Sequence, residues 1–162
     1  MDLLDRLLQH DRWATGQLPK LSTGLTDAQL NQSFDIGHRT LRQTFEHLIF
    51  NVEAWTSGMS GQLADPAPDD DASAAALIER HERTFAAFAT LARQIRDAGR
   101  IDGTFDDSFG GQMTIDGAIL HVILHDEDHR TEALHILQPL RGPDVPEIEV
   151  DHGLWDFVRR GF

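Results

Sequence analysis

The strongest constraint on how this chain folds lies between Leu41 and Met59. There Leu41, Phe45, Leu48, Val52, Trp55 and Met59 follow one another at steps of 4, 3, 4, 3 and 4. Those steps hold the apolar residues on one stripe of a 3.6-residue helix and leave polar residues on the opposite side. A helix striped in this way has to bury its apolar face against other elements, and the rest of the chain supplies more helices. A first helix is expected over about residues 2–20, with Leu4, Leu7, Leu8, Trp13 and Leu18 near helical spacing. A third is expected over about 72–98, capped by Asp71 or Ser73, stopped by Gly99 and burying Leu77, Phe85, Phe88, Leu91 and Ile95. A fourth starts at the N-cap Thr114 and stops near Arg141-Gly142-Pro143. Two short helices are expected beside these, one opened by the capping-box pattern Thr26-x-x-Gln29 and one near Leu154 to Arg160.

No segment sustains the period-2 alternation of a half-buried strand, and residues 100–113, with Gly103, Gly110 and Gly111, read as irregular. The expected fold is all-α: a four-helix bundle with short additional helices, forming one domain over residues 1–162. Residues 60–71 read as a loop rich in Pro, Gly and Asp. Extended, a loop of that length spans about 40 Å, and the second helix is roughly 30 Å long. The connection therefore permits a parallel crossover between helices two and three without requiring one.

Composition narrows the function classes. Acidic residues outnumber basic ones 27 to 14, for a formal charge of -13. Such a chain lacks the excess of Lys and Arg that neutralises nucleic-acid phosphates or docks on anionic lipid, so neither nucleic acid nor membrane is an expected partner. The absence of cysteine removes disulfides, thiolate nucleophiles and Cys-based metal sites. The first twenty residues show no signal-peptide pattern, and the apolar stretch Ala118 to Leu124 is far shorter than the ~20 residues of a membrane span. A cytoplasmic protein is expected.

The nine histidines stand out, because four of them fall between His121 and His135 on one helix. At about 100° per residue, His125 and His129 lie roughly 40° apart on the face that also carries Ala118, Val122 and Ile136. An i, i+4 pair is the spacing by which one helix offers two ring nitrogens to one metal. The competing reading is a pair of core histidines satisfied by hydrogen bonds. The nearby carboxylates Asp126, Asp128 and Glu132 favour the metal, since ligating imidazoles need partners on the other nitrogen. A third ligand must come from another helix, with His47, His81 and His10 as candidates. His47 projects onto the flank of its stripe beside Thr44 and Asn51, whereas His81 projects nearer a buried face; spacing alone does not choose between them. Other chemistry finds less support. A di-iron bundle needs two Glu-x-x-His motifs, and Glu132-x-x-His135 is a single copy. Acidic patches at 69–71 and 106–107 lack the spacing of a calcium loop. Gly110-Gly111 reads as a turn, and no phosphate loop, dinucleotide fingerprint or nucleophile elbow is present.

These residues resemble the DinB/YfiT-like family of metal-dependent four-helix-bundle proteins. The resemblance rests on His10-Asp11-Arg12-Trp13-Ala14, on the segment Thr40 to Leu48 with His47, on Glu53-Ala54-Trp55, on the run His121 to Arg130, and on Leu154-Trp155-Asp156-Phe157. It promotes His47 over His81 and His10, and so implies the metal triad His47, His125 and His129. It also implies an up-down-down-up bundle, a homodimer, and relatives that transfer or isomerise using low-molecular-weight thiols. Where many members continue His-Arg-Gly-Gln, this chain reads His129-Arg130-Thr131-Glu132, which makes Glu132 a candidate orienting carboxylate or extra ligand.

The expected function is a divalent-metal enzyme with an open coordination position: a thiol-dependent transferase or isomerase, or a hydrolase. Three imidazoles suit Zn or Ni, with Fe or Cu also accommodated, and suit Mg or Ca poorly. Any thiolate must come from a small-molecule partner. Glu132, Glu46 and Asp128 are candidates for orienting ligands or moving protons. The rival expectation is a stress-associated binding or interaction module with a structural metal or none. A closed site of four protein ligands would favour the rival.

Overall fold

The computed structural model describes residues 1–61, 73–107, 110–143 and 146–161. In chain order the elements are α1 (Leu3–Leu21), α2 (Asp27–Leu30), α3 (Leu41–Ser60), α4 (Ala74–Asp97), β1 (Thr104–Asp106), β2 (Gln112–Thr114), α5 (Ile115–Arg141) and α6 (His152–Arg159). Each helix opens on an Asp, Ser or Thr whose side chain accepts the backbone N–H three residues on: Asp2, Thr26, Thr40, Ser73, Thr114 and Asp151. Those caps satisfy N–H groups that a helix start leaves orphaned, typically worth about 1 kcal/mol each. Ser73 is the α4 cap; the alternative, Asp71, lies outside the described residues, as does the acidic patch at 69–71. The box Thr26-x-x-Gln29 closes from both sides.

The four long helices form a ring in which α1 and α3 each pack against both α4 and α5. Ion pairs set the direction of α1 against α4. Asp5 meets Arg93 at 2.7 Å and Asp2 meets Arg96 at 2.8 Å, while Lys20 reaches Glu82, so the two run antiparallel. Core packing sets the others. One half of the core gathers Leu8, Val52, Met59, Phe85, Phe88, Ile95, Ile115 and Val122. The other gathers Leu18, Leu41, Phe45, Leu48, Leu77, Ile136 and Leu137. Helices α1 and α5 therefore run from the first half to the second, and α3 and α4 from the second to the first. This is the up-down-down-up bundle, with α3 ending and α4 beginning at opposite ends.

Between the two halves runs a buried polar layer of Asp11, Thr15, His81, Thr84, Asp126 and Arg130. It coincides in height with the middle of α5, which positions the candidate site described below.

The stretch 100–113, expected to be irregular, contains a short hairpin instead. β1 and β2 pair antiparallel with Phe105 opposite Met113. Strands of three residues are too short for an alternation to register in the sequence. The turn at Gly110, with φ +85°, fits the sequence reading, and Asp107 accepts the Gly111 N–H at 2.8 Å, so this acidic patch serves the turn. Phe105 packs edge-on against Trp55 at 6.3 Å. Gly58 eases the approach, because a Cβ there would make a tight 3.2 Å contact with the Phe105 ring. At the other side of the bundle α6 docks on α1 through buried Trp155, with its ring 5.8 Å from that of His10, and through Arg6–Asp156 at 3.3 Å.

Candidate metal site

The site is built where antiparallel α3 and α5 face each other. Thr40 caps α3, so His47 falls on its second turn, half-buried on the flank of the Leu41–Met59 stripe. His125 and His129 stand one turn apart in the middle of α5, also half-buried. The His47 and His125 Nε2 atoms are 3.0 Å apart. The His129 ring centre lies 4.7 Å from that of His47 and 4.3 Å from that of His125. A tetrahedral ion with metal–nitrogen bonds of 2.0–2.1 Å needs its donors about 3.3 Å apart, so the His47–His125 spacing is already near that value.

A fourth imidazole joins them from outside the helices. His38, on the turn between α2 and α3, stacks with its ring centre 3.9 Å from His47 and 5.0 Å from His129. His38, His47 and His129 each offer one ligand nitrogen within 4.8 Å of one another, a group that can hold a metal ion. Sequence reasoning missed His38, because periodicity says nothing about where a residue on a turn will point. Its only signal was the high histidine count.

Glu132 organises the far side. Its Oε2 lies 2.7 Å from His129 Nδ1, so Nδ1 donates to the carboxylate and the lone pair of Nε2 is left for a ligand. The same carboxylate rests against the turn that carries His38. A Cβ at Gly37, where φ is +43°, would stand 2.1 Å from Glu132 Oε2. Only glycine meets both demands at once.

Burial also keeps the rings in the form that binds metals. Desolvation, reinforced by the charges of His38, His129 and His125, pulls the His47 pKa down to about 4. Desolvation lowers His38 as well, with His129 adding to it, and lowers His125 against the opposing pull of Asp128 and Glu132. At neutral pH these imidazoles are therefore uncharged, and neutral nitrogens are what a transition metal requires. A donor set of imidazole nitrogens suits a transition-metal ion and offers little to a hard, oxygen-seeking one.

Behind His125 lies the buried charge of the polar layer. Asp11, Asp126 and Arg130 are 1%, 0% and 2% exposed. Arg130 donates to Asp11 and Glu127, and to Thr15 at 2.9 Å. Asp126 stands 3.6 Å from His125 Nδ1, and burial raises its pKa to about 8, against the pull of Arg130. The signal for this network was present in the stripes themselves. Asp11 falls in the series Leu4, Leu8, Asp11, Thr15, Leu18, and Arg130 in Val122, Asp126, Arg130, Ala133, Leu137, so charges occupy positions that helical spacing sends inward.

The other candidates sit elsewhere. His10 faces His152 and Trp155, and its Nε2 lies 3.2 Å from the Val150 carbonyl. His135 is exposed and engages the Thr131 carbonyl, so Glu132 and His135 do not act as a pair. Asn51 is buried and accepts from the Trp55 indole at 3.0 Å. Among the described residues neither Glu46 nor Asp128 hydrogen-bonds a histidine; Asp128 is exposed.

His81 lies in the polar layer against Phe85, with ring centres 4.3 Å apart, and a Cβ on Gly16 would come 2.9 Å from its ring. Its Nε2 has no partner among the described residues. Desolvation lowers its pKa to about 4, with Lys20 and Arg12 adding to the shift and Glu82 opposing it. At pH 7 His81 is neutral folded or unfolded. As pH falls through about 6.5 the unfolded chain takes up a proton that the folded chain refuses, so stability drops, by up to about 3 kcal/mol near pH 4. The expected outcome for His81→Leu is an unchanged metal content and a shallower loss of urea stability between pH 7 and pH 4.5. An acid slope identical to wild type would show that His81 contributes nothing to it.

Residues 10–133 match the family model described as the DinB superfamily. No curated protein and no solved structure matches the chain. Among the described residues, no helix is long and apolar enough to cross a membrane.

Proposed function

The chain belongs to the DinB superfamily, and from that premise we propose that it holds a divalent transition metal through His47, His125 and His129 and uses it in catalysis. The observation that carries the reading is the 3.0 Å approach of His47 and His125 with His129 beside both. Zinc or nickel suits the set best, with iron accommodated. When bound, the ion supplies Lewis acidity to an atom of the substrate.

The chain's own residues do the remaining work. Glu132 fixes the His129 tautomer and orients its ring. Trp55 and exposed His121, ring centres 4.9 Å apart, stand next to His125 on the side of the hairpin and form a partly aromatic wall for a small substrate. The chain has no thiol of its own, so a thiol-dependent transferase or isomerase reaction would take its sulfur from a low-molecular-weight thiol; hydrolysis is the other reaction class the donor set suits.

One observation favours a second reading. His38 places a further imidazole beside the triad, its ring centre 3.9 Å from His47 and 5.0 Å from His129, and four protein ligands are the mark of structural sites, whereas catalytic sites keep a position open. A non-catalytic binding module with a closed metal site would follow. A small thiol titrated into the cobalt-substituted protein separates the two. Catalysis by an open site predicts a thiolate-to-cobalt charge-transfer band that saturates with thiol, and its absence at millimolar thiol favours the binding module.

The role of Glu132 is testable apart from any reaction. Outer carboxylates of this kind typically contribute 10–100-fold to metal affinity. Glu132→Ala is expected to weaken zinc binding by about that factor in competition with a chelator. Unchanged affinity would remove Glu132 from the site.

A further inference from the structure

We propose that His38 is a fourth, exchangeable metal ligand, so that the site passes between a closed arrangement of four imidazoles and an open arrangement of three that admits an anionic ligand such as a thiolate. This rests on the triad reading above and deepens it, since it makes the two rival arrangements two states of one site.

The difference between His38 and the other three lies in what carries it. His47, His125 and His129 project from long helices held in the bundle by buried Phe45, Leu48, Val122 and Ala133. His38 projects from a turn. Backbone bonds Phe34 N–H to Arg39 O at 2.7 Å, Arg39 N–H to Ile36 O at 2.8 Å and Thr40 N–H to His38 O at 2.8 Å define that turn. Both flanking residues hold left-handed backbone, Gly37 at φ +43° and Arg39 at φ +70°, which aims the His38 ring between His47 and His129. Arg39 is the one non-glycine residue with positive φ among those described, a conformation that a bulky residue adopts only when its surroundings impose it.

The His38 ring is placed but not fastened. Among the described residues its side chain makes no hydrogen bond, and it is only partly buried. Its ring centre stands 3.9 Å from that of His47 and 5.0 Å from that of His129, and its ligand nitrogen lies within 4.8 Å of theirs. The ring therefore stands beside the other ligands, where a side-chain rotation carries it toward or away from an ion they hold. Seating of Gly37 on Glu132 couples the turn to the carboxylate that orients His129. Neutral imidazoles around a divalent ion leave the site net positive, so the ligand that displaces His38 should be an anion.

The test uses Co²⁺ and azide as probes. Co²⁺ is titrated into metal-free wild type, His38→Ala and His47→Ala, azide is titrated into each cobalt form, and both steps are followed by visible absorption. Wild type is expected to bind one equivalent with the intense bands of four-coordinate cobalt. His38→Ala should bind one equivalent about tenfold more weakly, with an altered spectrum, and should then bind azide at least about tenfold more tightly than wild type does. His47→Ala should have no tight site. If His38→Ala matches wild type in spectrum, cobalt affinity and azide affinity while His47→Ala loses cobalt, His38 is not a ligand and the triad stands without it. If His47→Ala retains tight cobalt, the triad itself falls and the proposal for His38 falls with it.

Discussion

Replacing His47 by alanine is expected to lower zinc affinity by at least two orders of magnitude, and His125→Ala and His129→Ala should do the same. The reason is geometric. His47 is the one α3 residue whose ring reaches both α5 histidines, so its removal leaves ligands from one helix and one turn. The nitrogen that stands 3.0 Å from His125 Nε2 is then gone, and no other α3 imidazole takes its place against α5. The loss has a second readout in stability. An ion present at 100 times its dissociation constant stabilises the folded state by about 2.7 kcal/mol, which for a domain of this size is a rise in melting temperature of several degrees. Wild type should show that rise on adding zinc, and the three variants should not. Equal zinc-dependent stabilisation in wild type and all three would contradict the assignment.

Arg130→Met is expected to destabilise the fold by about 3–5 kcal/mol, the usual cost of leaving a buried charge unpaired. That is a large share of the 5–15 kcal/mol by which most domains are stable. In this chain Arg130 is the cation among buried Asp11, Asp126 and Thr15. Without it two carboxyl groups share one dry layer, where burial pushes both toward protonation and Asp126 adds to the rise at Asp11. Methionine fills the space but leaves Asp11 without its cationic partner. Adding Asp11→Asn to Arg130→Met should recover part of the loss, because the second substitution removes the buried carboxylate that Arg130 had paired. Urea unfolding of the two variants measures both effects. A loss under about 1 kcal/mol for Arg130→Met would mean that the layer is more hydrated than its burial implies.

The helices were legible because each is long, capped and striped. Six apolar residues at steps of 4 and 3 fix the face of α3, and Thr114 and Gly142 bracket α5 at the residues where it starts and stops. His125 and His129 were legible for the same reason, since i, i+4 spacing on a helix is a spatial statement. Helix direction was not: apolar stripes are alike read up or down, and it took the pairing of Asp2 and Asp5 with Arg96 and Arg93 to set α4 against α1. His38 escaped because its position depends on two left-handed residues and a glycine seated on Glu132, none of which leaves a period in the sequence. The Asp11–Arg130 pair escaped for a different reason. Its residues do lie on the stripes, but hydrophobic patterning discounts a charge wherever it falls, although a charge on a buried stripe signals a partner on another element.

The most direct test of the metal assignment is elemental analysis of the protein purified without a nickel column, before and after equilibration with one equivalent of zinc. Histidines from α3 and α5 acting as one site predict about one transition-metal ion per chain in wild type after equilibration and essentially none in His47→Ala treated in the same way. A wild-type protein that retains no zinc through gel filtration, or a His47→Ala variant that retains as much, would contradict it.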